Sequence, residues 1–571
     1  MSEYILAVKA GVLDIWGHDP SVSLFKNGEL IFAAEEERFS RDKHANGQKP
    51  SNAIREALDY AEITFSEIDK IVIPFDPSTA HKVVPDLLKG KARAQGGFLQ
   101  KGYWMGRTAV QSAKMKFFLR DILNREFAEF GDVPPITFRQ HHRCHAASAF
   151  YPTDFDSAVT VTLDGRGEYD STVIWQGTPE GLERVRTYDY PNSLGAFFGI
   201  ITKYLGFRPH NGEGKVMGLA PYGERNEEIE SALRSVIETG VDYDVTELFV
   251  DVWEESVQKL EQILGHDRHQ TGKEFTQFEK DLAYTAQRLL EETVVEIVEH
   301  YAEELDETNV ALAGGVALNC KMNKRVMESE AVDSLFVQPV ANDGGLPLGA
   351  GMLENTPSDT PPMRDAYWGV EYGEAEIEKL LKLNKIQYHQ PDDISSYIAN
   401  KLANGKLIGW FQGRFEIGPR ALGNRSILAD PRTAESRERV NKYVKHREEW
   451  RPFAPSILAE AADEYLVNAE ESPFMIKTFD IKQEKKKELE AVLHPGDDTT
   501  RPQTVTFDQN PRYYNLIDEF EERTGVPVVL NTSFNDHAEP IVNQPVEALK
   551  DFYGMGLDLL VLGDFVVEKS K

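Results

Sequence analysis

Apolar residues in the first third of the chain fall in short, β-branched runs rather than at helical spacing. Residues 4–8 read as a buried strand. Residues 21–25 and 30–34 flank Lys26-Asn27-Gly28, and an Asn-Gly pair between two such runs predicts a tight hairpin. A helix is predicted over 51–61 and another buried strand over 71–74. Residues 157–163 alternate and predict a strand paired with 171–176. Leu282, Ala286, Leu289, Thr293 and Ile297 lie on one stripe, so 281–300 reads as a long amphipathic helix. Residues 309–313 predict a strand that runs into Gly314-Gly315 and a helical stretch. Strands alternating with helices in this way predict an α/β (α+β) fold with mixed sheets.

The periodicity stops at 354–365, a stretch rich in Pro, Ser, Thr and Asp. It resumes with helices over 374–383 and 394–404 and strands over 407–411 and 527–530, while the charged run 483–488 reads as a solvated face. At 571 residues the chain exceeds what one hydrophobic core supports. Two domains are therefore expected, over 1–354 and 366–571, and no internal repeat is evident.

Composition narrows the function classes. A hydrophobic share of 41% is that of a folded protein, and a net charge of -31 disfavours nucleic acid and anionic membrane surfaces as partners. Two cysteines, Cys144 and Cys320, exclude a disulfide scaffold. No apolar run reaches the length of a membrane span, and no basic segment precedes the first apolar run, so a cytoplasmic location is expected.

Three histidines in five residues, His141, His142 and His145, open a helical stretch that runs to Phe150. Spacings of four (His141 and His145) or three (His142 and His145) put either pair on one face, a recurrent way to hold a divalent metal. Asp164 at a strand end before Gly165, and Asp343 before Gly344-Gly345, are placed to complete a mixed N/O ligand set. Ordinary buried or surface histidines are the competing reading. Two glycine-dense stretches, one with Gly214 and Lys215, the other with Gly314, Gly315 and Asn319, could bring backbone N–H groups to a nucleotide or could be plain tight turns. Arg414, Arg420, Arg425 and Arg432, followed by Lys445, Arg447, Arg451 and Arg501, concentrate cations in an acidic chain. Arginine forks suit phosphate oxygens, and 531–535 (Asn531 to Asn535) add hydroxyl and amide groups. The alternative is a solvated face paired with Glu435, Glu438 and Glu448.

Long motifs carry a family resemblance across almost the whole chain: GHDPSVSLFKNGELIFAAEEERFSRDKH (17–44), HHRCHAASAFYP (141–152), GEGKVMGLAPYG (212–223), LAGGVALNCKMN (312–323), GRFEIGPRALGNRSILADPR (413–432), VKHREEWRPFAP (444–455), RPQTV (501–505) and LNTSFN (530–535). The chain resembles the NodU/CmcH O-carbamoyltransferases. That resemblance implies an actin/Hsp70-like (ASKHA) N-terminal domain that binds metal and nucleotide and performs carbamoyl transfer. It also implies a YrdC-like C-terminal domain that makes carbamoyl-AMP from carbamoyl phosphate and ATP. The implied metal ligands are His141, His145, Asp164 and Asp343, with iron(II) as the metal and magnesium accompanying ATP. Lys445, Arg451, Arg501 and Ser533 match the phosphate-binding site, with Arg420 and Asn535 beside it, and His18 matches the base for an acceptor hydroxyl. The expected partner is a small-molecule hydroxyl, with no nucleic acid or membrane, and a homodimer is the assembly to test. The chain departs from the family pattern at Pro20, where a small residue is usual, and in the HPGDDTTRPQTV stretch around Arg501. Two other functions compete: a threonylcarbamoyl-type transferase acting on tRNA, and a non-catalytic nucleotide-binding regulator.

Overall fold

The computed structural model describes residues 2–10, 17–77, 119–249, 253–445 and 450–569. Arg447 and Glu448, counted among the charged groups above, lie outside the described residues. The chain divides into two compact units. The first takes in Met1–Ile31, Gly47–Pro50 and Ala57–Pro362, and the second Phe32–Asn46, Ser51–Glu56 and Met363–Lys571. The break after Pro362 falls within the Pro-rich stretch. A division by sequence position alone does not anticipate that Phe32–Asn46 and Ser51–Glu56 count with the second unit.

The first unit holds two five-stranded sheets. In one, β1 (Tyr4–Val8), β2 (Ser21–Lys26), β3 (Glu29–Glu35), β4 (Lys70–Ile73) and β5 (Ile136–Phe138) lie in the order β3-β2-β1-β4-β5. The expected Asn27-Gly28 turn joins β2 to β3, and both of its residues have positive φ. In the other, β6 (Ala158–Leu163), β7 (Asp170–Thr178), β8 (Gly181–Asp189), β9 (Asn309–Ala313) and β10 (Ser334–Val337) lie in the order β10-β9-β6-β7-β8. In each sheet the first strand pairs antiparallel with the second and parallel with the fourth, and the fourth pairs parallel with the fifth. The same plan is thus laid down twice. This internal duplication is invisible in the sequence, because a strand needs only apolar, β-branched residues at its positions and not particular ones.

The helix predicted over 281–300 runs longer, Gln277–Leu305. Thr276 and Glu279 form a reciprocal capping box that fixes its start four residues before the apolar stripe becomes readable. The histidine-bearing helix His141–Phe150 is buried at every position except Arg143 and packs on β6, β9 and the helix Leu346–Met352. Gly349 makes that approach possible: a Cβ there would sit 1.7 Å from the Cys144 carbonyl oxygen.

In the second unit, β11 (Ile408–Phe411), β12 (Arg425–Ala429), β13 (Ala454–Leu458), β16 (Gln503–Val505), β17 (Val528–Ser533), β18 (Leu559–Leu562) and β19 (Phe565–Glu568) form one mixed sheet. Their order is β16-β13-β17-β12-β11-β18-β19, and β14 (Phe479–Asp480) and β15 (Thr499–Thr500) make a separate small ribbon. The described helices Ile394–Ala403 and Pro511–Thr524 pack against each other, and the latter also packs on β13 and β17.

The helix Pro545–Gly554 carries a titratable liability. Asp551 is buried in its last turn, near the negative end of the helix, and one of its carboxylate oxygens has no hydrogen-bond partner among the described residues. Burial, reinforced by the charge of Glu539, pushes its pKa up to about 6. A carboxyl raised on folding stabilises the native state below its unfolded pKa, and that contribution is lost as pH rises towards 6. Asp551→Asn is therefore expected to raise the melting temperature by a few degrees at pH 8, on the order of 1 kcal/mol, and to change little at pH 4. Melting curves at the two pH values check this.

Candidate metal and phosphate sites

Asp164 follows β6 directly, where its backbone N–H bonds the Ser171 carbonyl. Its Oδ1 accepts from the N–H groups of Gly165, at 2.8 Å, and Gly315, at 3.3 Å. Its Oδ2 is turned the other way, 2.9 Å from His141 Nε2 and 3.5 Å from His145 Nε2. Asp343, at the start of the turn Asp343–Gly345, brings Oδ1 to 3.7 Å from both imidazoles. One atom from each of His141, His145, Asp164 and Asp343 falls in a group whose members all lie within 4.8 Å of one another.

Of the two histidine registers left open by spacing, the structure selects the i, i+4 pair. His142 points elsewhere, with Nδ1 2.9 Å from Thr162 Oγ1 and Nε2 3.1 Å from the Asp170 carbonyl oxygen. Burial, then the neighbouring His141, lowers its pKa to about 3, so it stays neutral and serves the packing. His145 is the opposite case. It is fully buried, yet neither ring nitrogen has a hydrogen-bond partner among the described residues. Burial works against its charged form, but Asp164 and Asp343 raise its pKa to about 9. A buried imidazole with orphaned nitrogens, facing two carboxylates, is a donor set that fits a divalent cation.

Two groups that sequence reasoning missed hold this cluster. Glu168 accepts from the N–H of His141, at 2.9 Å, and of Asp76, at 2.7 Å, which pins the start of the histidine helix. Lys9 places its ammonium 3.1 Å from Asp343 Oδ2. Both follow from contacts between residues distant in sequence, so neither has a local signature. His18 stands at the rim, with its side chain 42% exposed; its Nδ1 is 2.9 Å from Asp19 Oδ2 and its Nε2 3.9 Å from Asp343 Oδ2. The Asp19 hydrogen bond raises the His18 pKa against the effect of burial. The ring stacks on His210, with centroids 5.6 Å apart.

The glycine stretches divide. Gly314 has φ +89°, and a Cβ there would lie 2.2 Å from the Leu163 carbonyl oxygen, so only glycine lets the turn after β9 close over the end of β6. Gly314→Ala is expected to cost more than about 2 kcal/mol, read as a drop in melting temperature. Asn319 caps the helix Cys320–Met327 and exchanges two hydrogen bonds with Gln287. Gly214 and Lys215 do not form the glycine loop expected of them. They lie in the first turn of a helix, Glu213–Leu219, and the Lys215 ammonium sits over the Phe207 ring.

In the second unit the strand directions gather candidate residues at one end of the sheet. β17 runs antiparallel to both β12 and β13, and β13 runs parallel to β16. The exit of β17, with Ser533 and Asn535, therefore lies beside the entries of β12, β13 and β16, which Arg420, Arg451 and Arg501 precede. Lys445, at the end of a π-type turn Asn441–Lys445, is buried there. Its ammonium donates to the Ser533 carbonyl (2.6 Å) and hydroxyl (3.1 Å) and to Asn535 O (3.1 Å) and Oδ1 (2.7 Å). These four acceptors are a carbonyl and a hydroxyl of Ser533 and a carbonyl and an amide oxygen of Asn535, so the ammonium is fixed at the exit of β17.

Three arginines expected in that cluster are employed differently. Arg425 is fully buried against the Phe411 ring and donates to the carbonyls of Gln412, Gly413, Asn424 and Val370. Burial lowers its pKa to about 10. Arg414 donates to Gly369 and Trp368 carbonyls, and Arg432 pairs with Asp430. Turns rich in glycine leave carbonyls without partners, and guanidinium forks satisfy them. Glu416 does the same for N–H groups, accepting from Leu422, Asn424 and Arg425. Glu35 and Arg38, from the N-terminal segment that counts with this unit, bond the N–H and carbonyl of Gly418.

Comparison with known proteins agrees with both halves. The carbamoyltransferase N-terminus family matches residues 9–352, and the carbamoyltransferase C-terminus family matches residues 399–569. Nodulation protein NolNO of Sinorhizobium fredii is 35% identical over 97% of this chain and 79% of its own length. Nodulation protein NolO of Bradyrhizobium diazoefficiens is 39% identical over 75% of this chain and 78% of its own. The 3'-hydroxymethylcephem-O-carbamoyltransferase of Amycolatopsis lactamdurans is 29% identical over 76% and 80%. Among solved structures, HypF of T. kodakarensis aligns at a TM-score of 0.30 and 18% identity over 62% of this chain and 47% of that one, too low to bear on the fold. With both family domains matched in order and the relatives aligned over most of its length, this chain belongs to the carbamoyltransferase family of enzymes.

Proposed function

We propose that the chain is an ATP-dependent O-carbamoyltransferase whose two units carry successive half-reactions. The second unit makes carbamoyl-AMP. Carbamoyl phosphate and water give carbamate and phosphate; a carbamate oxygen then attacks the α-phosphorus of ATP, and pyrophosphate leaves. Lys445 offers its charge to the phosphate oxygens, with Arg420, Arg451 and Arg501 at the same end of the sheet and Ser533 and Asn535 orienting the ligand.

The first unit transfers the carbamoyl group. An acceptor hydroxyl attacks the carbamoyl carbon, the bond to the AMP oxygen breaks, and AMP departs. His18, oriented by Asp19 and only part-buried at the rim of the cluster, takes the hydroxyl proton. His141, His145, Asp164 and Asp343 would hold a divalent transition metal; their two imidazoles and two carboxylates suit iron(II), manganese(II) or zinc(II). When bound, such an ion supplies Lewis-acid stabilisation of charge on oxygen. The backbone N–H groups of Gly165 and Gly315 keep the Asp164 carboxylate turned towards the imidazoles. The hydroxyl acceptor class comes from the name of the Amycolatopsis relative, which specifies O-carbamoyl transfer.

The reading is supported by the convergence of two imidazoles and two carboxylates within 4.8 Å in one unit and by a buried ammonium held by Ser533 and Asn535 at the sheet end in the other. The test is to supply labelled carbamoyl phosphate and ATP with a metabolite extract of the source cell. The reading expects phosphate and pyrophosphate release in equal amounts and a product one carbamoyl group heavier than its precursor. ATP hydrolysis without any carbamoylated product would overturn it.

A further inference from the structure

Lys9 follows β1 and is held there by a backbone bond from its N–H to the Ser21 carbonyl, at 3.0 Å. It is only 6% exposed. An ammonium buried this deeply is costly unless good partners meet it. Two do. Its Nζ lies 3.1 Å from Asp343 Oδ2, and it donates to the backbone carbonyl of His18. The two oxygens of Asp343 are thereby divided: Oδ1 faces His141 and His145, at 3.7 Å from each, while Oδ2 is engaged by Lys9.

We propose that Lys9 is a positioning residue of the metal site. Its ammonium holds Asp343 so that one oxygen alone is presented to the cluster, and it ties the loop carrying His18 to that same carboxylate. The inference rests on reading His141, His145, Asp164 and Asp343 as metal ligands. A partner that fixes a ligating carboxylate in this way is worth about 10–100-fold in metal affinity.

The sign of the effect separates positioning from simple charge balance. If Lys9 only neutralised Asp343, removing it would leave the carboxylate free and take away a cation that repels the metal, so binding would tighten. Positioning requires the opposite. Removing the ammonium lets Asp343 turn and lets the His18 loop drift, so binding weakens.

The experiment titrates manganese(II) into the metal-free full-length chain and follows free ion by electron paramagnetic resonance. Wild type is expected to bind one equivalent. Lys9→Met is expected to bind about 10–100-fold more weakly. Lys9→Gln guards against a folding failure, since it keeps a polar tip but is too short to reach both partners, and it is expected to weaken binding by at least about tenfold. Lys9→Arg, which keeps charge and reach, is expected to recover most of the affinity. A folded Lys9→Met or Lys9→Gln protein that binds manganese as tightly as wild type, or more tightly, overturns the role of Lys9 and leaves the metal site standing. Absence of binding by wild type overturns both.

Discussion

Lys445→Met is expected to lower pyrophosphate release from ATP and carbamoyl phosphate by about a thousandfold, roughly 4 kcal/mol in the barrier. The size follows from the setting. The ammonium is buried and fixed by four oxygens from Ser533 and Asn535, so it is already oriented when a phosphate arrives. Methionine keeps the stem but removes the charge, and it leaves those oxygens facing a thioether. Ser533 and Asn535 would then lose the cation that orders them, although the 2.6 Å Ser533–Asn535 side-chain bond remains to keep the loop in shape. Lys445→Arg is not a rescue: a planar fork cannot take the place of a compact ammonium enclosed by the oxygens of Ser533 and Asn535. Continuous pyrophosphate detection checks the prediction, and a rate within fivefold of wild type would remove Lys445 from the site.

His145→Ala is expected to have the next largest effect, on metal rather than on the adenylate. Among the described residues, His145 is the cluster member whose ring nitrogens make no other hydrogen bond. Deleting it leaves His141 and two carboxylates less than 4.8 Å apart with their mutual repulsion less well offset. Metal affinity should fall by more than about 100-fold, beyond what loss of an outer partner costs. Carbamoyl transfer should be lost with it, while pyrophosphate release, which the proposal assigns to the other unit, should continue. His142→Ala is the contrasting change. His142 bonds Thr162 and the Asp170 carbonyl, so its loss should lower the melting temperature and leave metal stoichiometry at one. Elemental analysis beside a melting curve distinguishes the two.

The sheet plan was legible where a local rule governs it. Asn27-Gly28 announced its hairpin, the β-branched run before Asp164 announced β6, and Gly314-Gly315 announced a turn that only glycine can make. The histidines and strand-end aspartates were legible as candidates because their types and spacings are chemical. Spacing could not choose between His141 and His142, since the choice depends on which face of the helix meets β6. Nor could it show Lys9 or Glu168, whose partners lie far along the chain or across a turn. The arginine cluster misled for a related reason. Arg414, Arg425 and Arg432 look like phosphate ligands as a list of cations, yet they satisfy carbonyls and a carboxylate that only the folded loops reveal. The Gly214-Lys215 stretch misled because glycine density suggests a loop, whereas Gly212 here caps a helix.

Asp343→Asn offers the most direct test of a division of labour between the two units. The variant would be incubated with ATP and carbamoyl phosphate and no acceptor, and the reaction examined by mass spectrometry for carbamoyl-AMP. The account expects the adenylate to form at the wild-type rate in a protein that no longer retains its metal. Loss of carbamoyl-AMP in a folded variant, or an undiminished metal content, would contradict it.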